Sequence, residues 1–141
     1  MTSLVLDSEP MSLLVREKIE RRPSPELARV RAALQVARED GVEVFVPAAV
    51  LAELYRGGGQ DAAVDACLNR NTGIVAVDTD KALARRVGNL LARSGRGSED
   101  HVDATVVAVA AVAGGGTCLT GDLGDLEAIA GGTVGVTIKA L

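Results

Sequence analysis

The sequence predicts an α/β domain with a central, mostly parallel five-stranded sheet and helices on both faces. Short apolar runs of strand length recur along the chain. Segments with helical spacing or helix-capping residues separate them. The runs are continuous rather than alternating, the pattern of strands buried on both faces.

Leu4-Val5-Leu6 reads as a first buried strand ending at Asp7. Asp7 or Ser8 can cap a following helix that carries Pro10 near its start and runs to about Arg21. Pro23 and Pro25 mark a turn, and Ser24 caps a second helix with Leu27, Val30, Leu34 and Ala37 on one face. Asp40-Gly41 ends it. Residues 42–46 form a second strand, and Pro47 opens a helix over 48–56 that Gly57-Gly58-Gly59 is expected to close.

Residues 60–69 look helical, and 74–77 form a third strand. Thr79 is expected to cap a helix over 80–93 with Leu83, Val87, Leu90 and Leu91 inward, followed by a loop over 94–97. Residues 99–113 read as a deeply buried Ala/Val-rich helix, 117–120 as a fourth strand, 122–130 as a short helix and 134–138 as a fifth strand. Residues 104–121 carry no charge, but the glycines at 114–116 break the run, so it is read as helix, stop and strand rather than a membrane span. A chain of 141 residues suits a single domain over 1–141, since two would each be short of core.

Composition narrows the function. With 48% apolar and 24% charged residues the chain should fold. Phe45 and Tyr55 are its only aromatics, which argues against a base-stacking nucleic-acid platform and for a core of small aliphatic side chains. The net charge of −4 excludes a basic nucleic-acid coat. A local basic cluster of Arg16, Lys18, Arg21, Arg22, Arg29 and Arg31 is either a solvated helix face or a contact surface for RNA or an acidic partner. Cys67 and Cys118 are expected to be reduced and buried, and no basic leader precedes the first strand, so a cytoplasmic protein is expected.

Several chemistries fail on inventory. His101 is the only histidine, so a two-histidine ribonuclease mechanism is not available. No Gly-x-Ser-x-Gly or Gly-Lys-Ser/Thr occurs, and two Cys and one His do not complete a usual structural zinc site.

The acids remain. In a parallel sheet, sites form beyond the carboxyl ends of the strands. Asp7 follows the first strand, and Asp122 follows the fourth with Asp125 one turn on. Glu53 lies inside an apolar helix, and Asp103 at the entry to the most apolar one. Each has a simpler reading. Asp7 and Asp122 suit caps, Glu53 could pair with Arg56, and Asp103 complements a helix N-terminus. Together they suggest converging carboxylates, which repel unless a hard divalent cation joins them. Such a site acidifies water and clamps a phosphodiester, and Thr120 is placed to orient a water or phosphate oxygen.

The segments Val5-Leu6-Asp7-Ser8, Pro47-Ala48-Ala49-Val50-Leu51-Ala52-Glu53-Leu54, Val102-Asp103-Ala104 and Leu119-Thr120-Gly121-Asp122-Leu123-Gly124-Asp125-Leu126 resemble, in order, the four acidic motifs of PIN domains, most closely those of VapC-type toxins. The resemblance implies a Mg²⁺-dependent endoribonuclease, with Mn²⁺ as a substitute, that leaves a 5′-phosphate and a 3′-hydroxyl. It implies Asp7 and Asp103 as direct ligands. Asp122 and Glu53 would complete the acidic pocket, Asp122 also as a ligand, and would hold the water nucleophile. Thr120 and Asp125 would be auxiliary. It further implies a homodimer and a VapB-type antitoxin, for which the helices over 10–39 are the expected contact region. Gly121 stands where many relatives carry Ser or Thr.

Two other readings stay open. One is a catalytically silent PIN-like module that binds RNA or protein. The other is a Mg²⁺-dependent aspartyl phosphotransfer domain with Asp7, Thr120 and Lys139 in the working roles, although Glu9 stands where a phosphatase would carry its second Asp.

Overall fold

A computed structural model describes residues 2–20, 24–71 and 73–141. The elements in chain order are β1 (Ser3–Leu6), α1 (Ser8–Glu20), α2 (Pro25–Glu39), β2 (Glu43–Pro47), α3 (Ala48–Leu54), α4 (Gly58–Arg70), β3 (Ile74–Val77), α5 (Lys81–Ser94), α6 (His101–Val112), β4 (Gly116–Thr120), α7 (Leu123–Ala130) and β5 (Val136–Ala140). A single 3₁₀ turn over Ser98–Asp100 leads into α6.

The five strands form one sheet in the order β3-β2-β1-β4-β5, and every neighbouring pair is parallel. The expected mostly parallel sheet is thus wholly parallel. Every crossover carries a helix, and the right-handed rule for such crossovers puts α1–α4 on one face and α5–α7 on the other. The packing agrees: α1 lies against α2, α3 and α4, while α6 is wedged between the sheet and its neighbours α5 and α7.

The sequence explains these contacts. Alanine and valine line α6, and Ala104–Ala110 is buried without a break. Small side chains let that helix sit close to the sheet. β1 is buried on both faces, as its unbroken apolar run requires. α5 shows the opposite pattern: only Leu83, Val87 and Leu90 are buried, on one stripe. The core is filled by Leu6, Met11, Leu14, Leu119, Leu126 and Ile129 with many valines, and both cysteines are free and buried. Among the described residues, no helix is long and apolar enough to cross a membrane.

Some boundaries differ from expectation. Gly57 and Gly58, with φ of 87° and 52°, do not close α3 but open α4. The Asp61 carboxylate, inside the first turn of α4, accepts the Arg56 and Gly57 N–H groups at 2.9 and 2.8 Å and so caps that helix from within. The cap of α5 is Asp80, which accepts the Leu83 N–H at 2.8 Å, rather than Thr79. α1 begins at Ser8, ahead of Pro10. β5 begins two residues late because Gly131, Gly132 and Gly135 all have positive φ and hold residues 131–135 in a turn, with Val134 94% exposed. Ser24 caps α2 as expected, accepting the Leu27 N–H at 3.0 Å. The expected end of the first helix near Arg21 and the turn at Pro23 lie outside the described residues, as do Arg21, Arg22 and the side chain of Lys18 from the basic cluster. Of that cluster, Arg16, Arg29 and Arg31 are exposed, and Arg31 pairs with Glu17 across α1 and α2.

Candidate active site

From β1 the chain crosses toward β2, while β4 lies on the other side of β1. The boundary between β1 and β4 is therefore the point where the direction of winding reverses, and the crevice beyond the strand ends there is where open parallel sheets bind ligands. β1 pairs with β4 in the register Leu6↔Leu119. The Asp7 N–H donates to the Leu119 carbonyl at 3.0 Å and extends that ladder by one step. The backbone of Asp7 is thus fixed by the sheet before its side chain makes any contact.

The Asp7 carboxylate is buried and satisfied locally. Oδ1 accepts the Ser8 N–H at 2.7 Å, and Oδ2 accepts the Thr120 hydroxyl at 2.7 Å. The Thr120 oxygen in turn accepts the Asp122 N–H at 2.9 Å, which ties the fourth acid's loop to the first acid. Burial raises the Asp7 pKa above its ordinary value. The hydrogen bonds from Thr120 and Ser8 oppose the rise, and repulsion from Glu53 and Asp122 adds to it.

Glu53 projects from α3 into the same region. Its Oε1 accepts the Ser8 hydroxyl at 2.6 Å. It does not pair with Arg56, whose guanidinium donates to the Ala52 and Tyr55 carbonyls at 2.9 and 2.6 Å. Asp103 lies in the first turn of α6, partly buried, and its pKa is pushed up to about 6. Burial is the main cause, followed by repulsion from Asp7, Asp125, Asp122 and Asp100. Asp122 is exposed and caps α7 with a weak bond from the Asp125 N–H at 3.4 Å. The cap reading therefore holds for Asp122, whereas the Asp7 carboxylate accepts only the N–H of the adjacent Ser8 and none from further into α1.

Asp125 differs from the other acids. Arg96 stands 3.3 Å from it and 3.5 Å from Asp100, so this carboxylate already has a cation. Among the described residues, no cation is among the charges that shift Asp7 or Asp103. The structure thus gathers all four motif acids and Thr120, and shifts Asp125 from a cation-seeking group to an ion-paired one.

Three further residues make contacts here that the sequence did not indicate. Ser8 links Glu53 to the Asp7 turn, and Arg96 clamps Asp125. The third is Glu9, whose carboxylate stands over Gly121. A Cβ at position 121 would overlap the Glu9 carboxylate, so the missing side chain leaves room for an acid from α1.

Among the described residues, no three His, Cys, Asp or Glu side chains stand close enough to enclose a metal ion. A cage made wholly of protein ligands does not fit. A Mg²⁺-like ion does fit the donor chemistry. The donors are carboxylate and hydroxyl oxygens, and such ions take one or two carboxylates and keep several waters. Burial is the main cause of the raised Asp7 and Asp103 pKa values, and the repulsion that adds to it is charge that such an ion would offset.

No family model matches the sequence, and no curated protein matches it. Among solved structures, the chain is similar to a chain of VapBC2 from Rickettsia felis bound to a DNA fragment from its promoter. The identity is 16%, the TM-score 0.63, and 98% of each chain is covered. It is likewise similar to a chain of DNA-bound VapBC from Salmonella typhimurium, at 18% identity and a TM-score of 0.67, covering 99% of this chain and 98% of that one. At these identities the likeness is one of fold. It falls on the group that the four acidic motifs resemble, and the PIN-like α/β architecture expected from the sequence is the one observed.

Proposed function

We propose that the chain is a VapC-type PIN-domain toxin, a divalent-metal-dependent endoribonuclease whose acidic pocket hydrolyses RNA phosphodiester bonds. The observation that carries this reading is Asp103, half-buried and facing Asp7, Asp122 and Asp125, with no cation among the described residues acting on it. Keeping such an arrangement costs stability unless a ligand compensates the charge.

In this reading Asp7, Asp103 and Asp122 hold Mg²⁺ or Mn²⁺, in part through waters. Such an ion supplies charge stabilisation at the phosphodiester and makes water a better nucleophile near neutral pH. The remaining work belongs to the chain. Thr120 fixes the Asp7 carboxylate by donating to Oδ2, while Ser8 holds Glu53 at the mouth of the pocket. Exposed Glu53 and Asp122 accept a proton from the attacking water or orient it. Arg96 offsets part of the negative charge of Asp125 and Asp100 at the rim. A VapB-type antitoxin and a homodimer complete the proposal, the former supported by the VapBC complexes that share the fold.

The phosphotransfer reading loses ground. Lys139 lines a groove with Arg29, Ala33 and Leu4, and among the described residues no lysine is one of the charges that act on Asp7. The test is incubation of purified, antitoxin-free protein with total RNA and Mg²⁺ or Mn²⁺ beside an EDTA control. Discrete fragments bearing 5′-phosphates and lost in EDTA are expected. Intact RNA beside demonstrable RNA binding would point to the silent module instead.

A further inference from the structure

The outer face of α5 carries a second polar feature of opposite sign. A groove of about 810 Å³ runs along this helix and reaches the end of α6 and Thr133. Its polar lining is Lys81, Arg85, Arg86, Asn89, Arg93 and Thr133, with no carboxylate among the lining residues. On a chain of net charge −4, four cations line this groove without an acid, and Arg86 also borders an adjoining cavity lined by Asp78 and Asp80. Among the described residues, no ion pair or side-chain hydrogen bond engages Lys81, Arg85 or Arg86. Arg93 is held in place by Thr133 Oγ1 at 2.7 Å and the Ala130 carbonyl at 3.3 Å.

The groove also leads somewhere. Lys81 and Arg93 are separated by about 18 Å of helix. Arg96 follows Arg93 by less than one turn's worth of residues, and it touches Asp125 and Asp100 beside Asp103. A row of cations therefore runs along α5 and ends at the acidic pocket. Unpaired guanidinium groups suit phosphate oxygens, which they bind in a bidentate fork.

We propose that this groove is the track for the phosphate backbone of the RNA strand being cut, with Arg85 and Arg86 as its central phosphate contacts. This rests on the nuclease reading and adds to it where the strand lies outside the pocket. The acidic pocket repels a polyanion, and an adjoining cationic track supplies the attraction that brings the strand to it.

The test is binding of a fluorescein-labelled oligouridylate in EDTA, where no cleavage occurs, measured by anisotropy across a salt series. For single strands the slope of log affinity against log salt is about −0.7 per phosphate neutralised. Arg85→Ala/Arg86→Ala should weaken binding and flatten the slope by about 1.4, two contacts' worth. Arg85→Lys/Arg86→Lys should keep most of the slope. Arg38→Ala/Arg70→Ala, which removes the same charge elsewhere, should leave it unchanged. An unchanged slope in the Arg85/Arg86 alanine variant of a chain that does cut RNA overturns the track and spares the nuclease. Slope loss in a chain that cuts no RNA with Mg²⁺ supports the track and removes the nuclease. If the variant loses polyglutamate but keeps oligouridylate, the groove is a docking face for an acidic protein, and the proposal falls.

Discussion

At the scale of single residues, the site is governed by what each carboxylate pays to be charged. Asp103 has a folded pKa of about 6 against an ordinary value of 3.8. Between those values the unfolded chain is ionised while the native one holds its proton, so native stability falls as pH rises from about 4 to above 6. Two outcomes follow for metal-free protein. Asp103→Asn should be more stable than the parent near pH 7.5, by about 1–2 kcal/mol, in urea titrations with EDTA. Mg²⁺ should raise the melting temperature near pH 7.5 and raise it much less near pH 5, where Asp103 is protonated. A parent that melts identically with and without Mg²⁺ at both values would remove the metal from the picture. Thr120 works on Asp7. Thr120→Val leaves a buried carboxylate oxygen without its donor, and should cost about 1–2 kcal/mol in the same titration together with a fall in cleavage. The acids themselves were legible, because a charge ending an apolar run is conspicuous. Ser8, Glu9 and Arg96 were not, since their partners come from other elements and no local pattern marks such pairings. Gly121 looked like a loss in one dimension, and only the fold shows Glu9 above it.

At the scale of elements, the site depends on β1 and β4 being neighbours. Gly116 begins β4, and a Cβ there would stand 3.0 Å from the Ser3 carbonyl carbon and closer still to its oxygen. That obstacle is backbone and does not swing aside. Gly116→Ala should therefore cost about 2–4 kcal/mol in chemical denaturation, whereas Gly124→Ala, with open space at its Cβ, should change little. Strand and helix types were legible because period and length agree at almost every segment. The misplaced ends have local causes. Thr79 and Asp80 are adjacent and both able to cap, and only the backbone decides which one does. The glycine run at 57–59 reads equally well as a stop or a start, and Asp61 settles it by capping inward. Val134 looks like strand but falls in a turn that the flanking positive-φ glycines impose.

At the scale of the whole molecule, the carboxylates come from four separate connections and meet because a parallel sheet collects its strand ends on one edge. The winding reversal between β1 and β4 opens the crevice, α3 and α6 deliver Glu53 and Asp103 to it, and α5 lays a cationic groove beside it. The order of the motifs in the sequence already implied the convergence. The cationic groove was not visible there, since its residues read as the solvated face of an ordinary amphipathic helix. The central claim is that this pocket cuts RNA through a divalent ion held by Asp7 and Asp103. The most direct test compares the parent with Asp103→Asn on the same RNA with Mg²⁺, after circular dichroism has shown both folded. Loss of about a hundredfold or more in cleavage rate with the fold intact is the expected result. The same fragments at an undiminished rate from Asp103→Asn would contradict it.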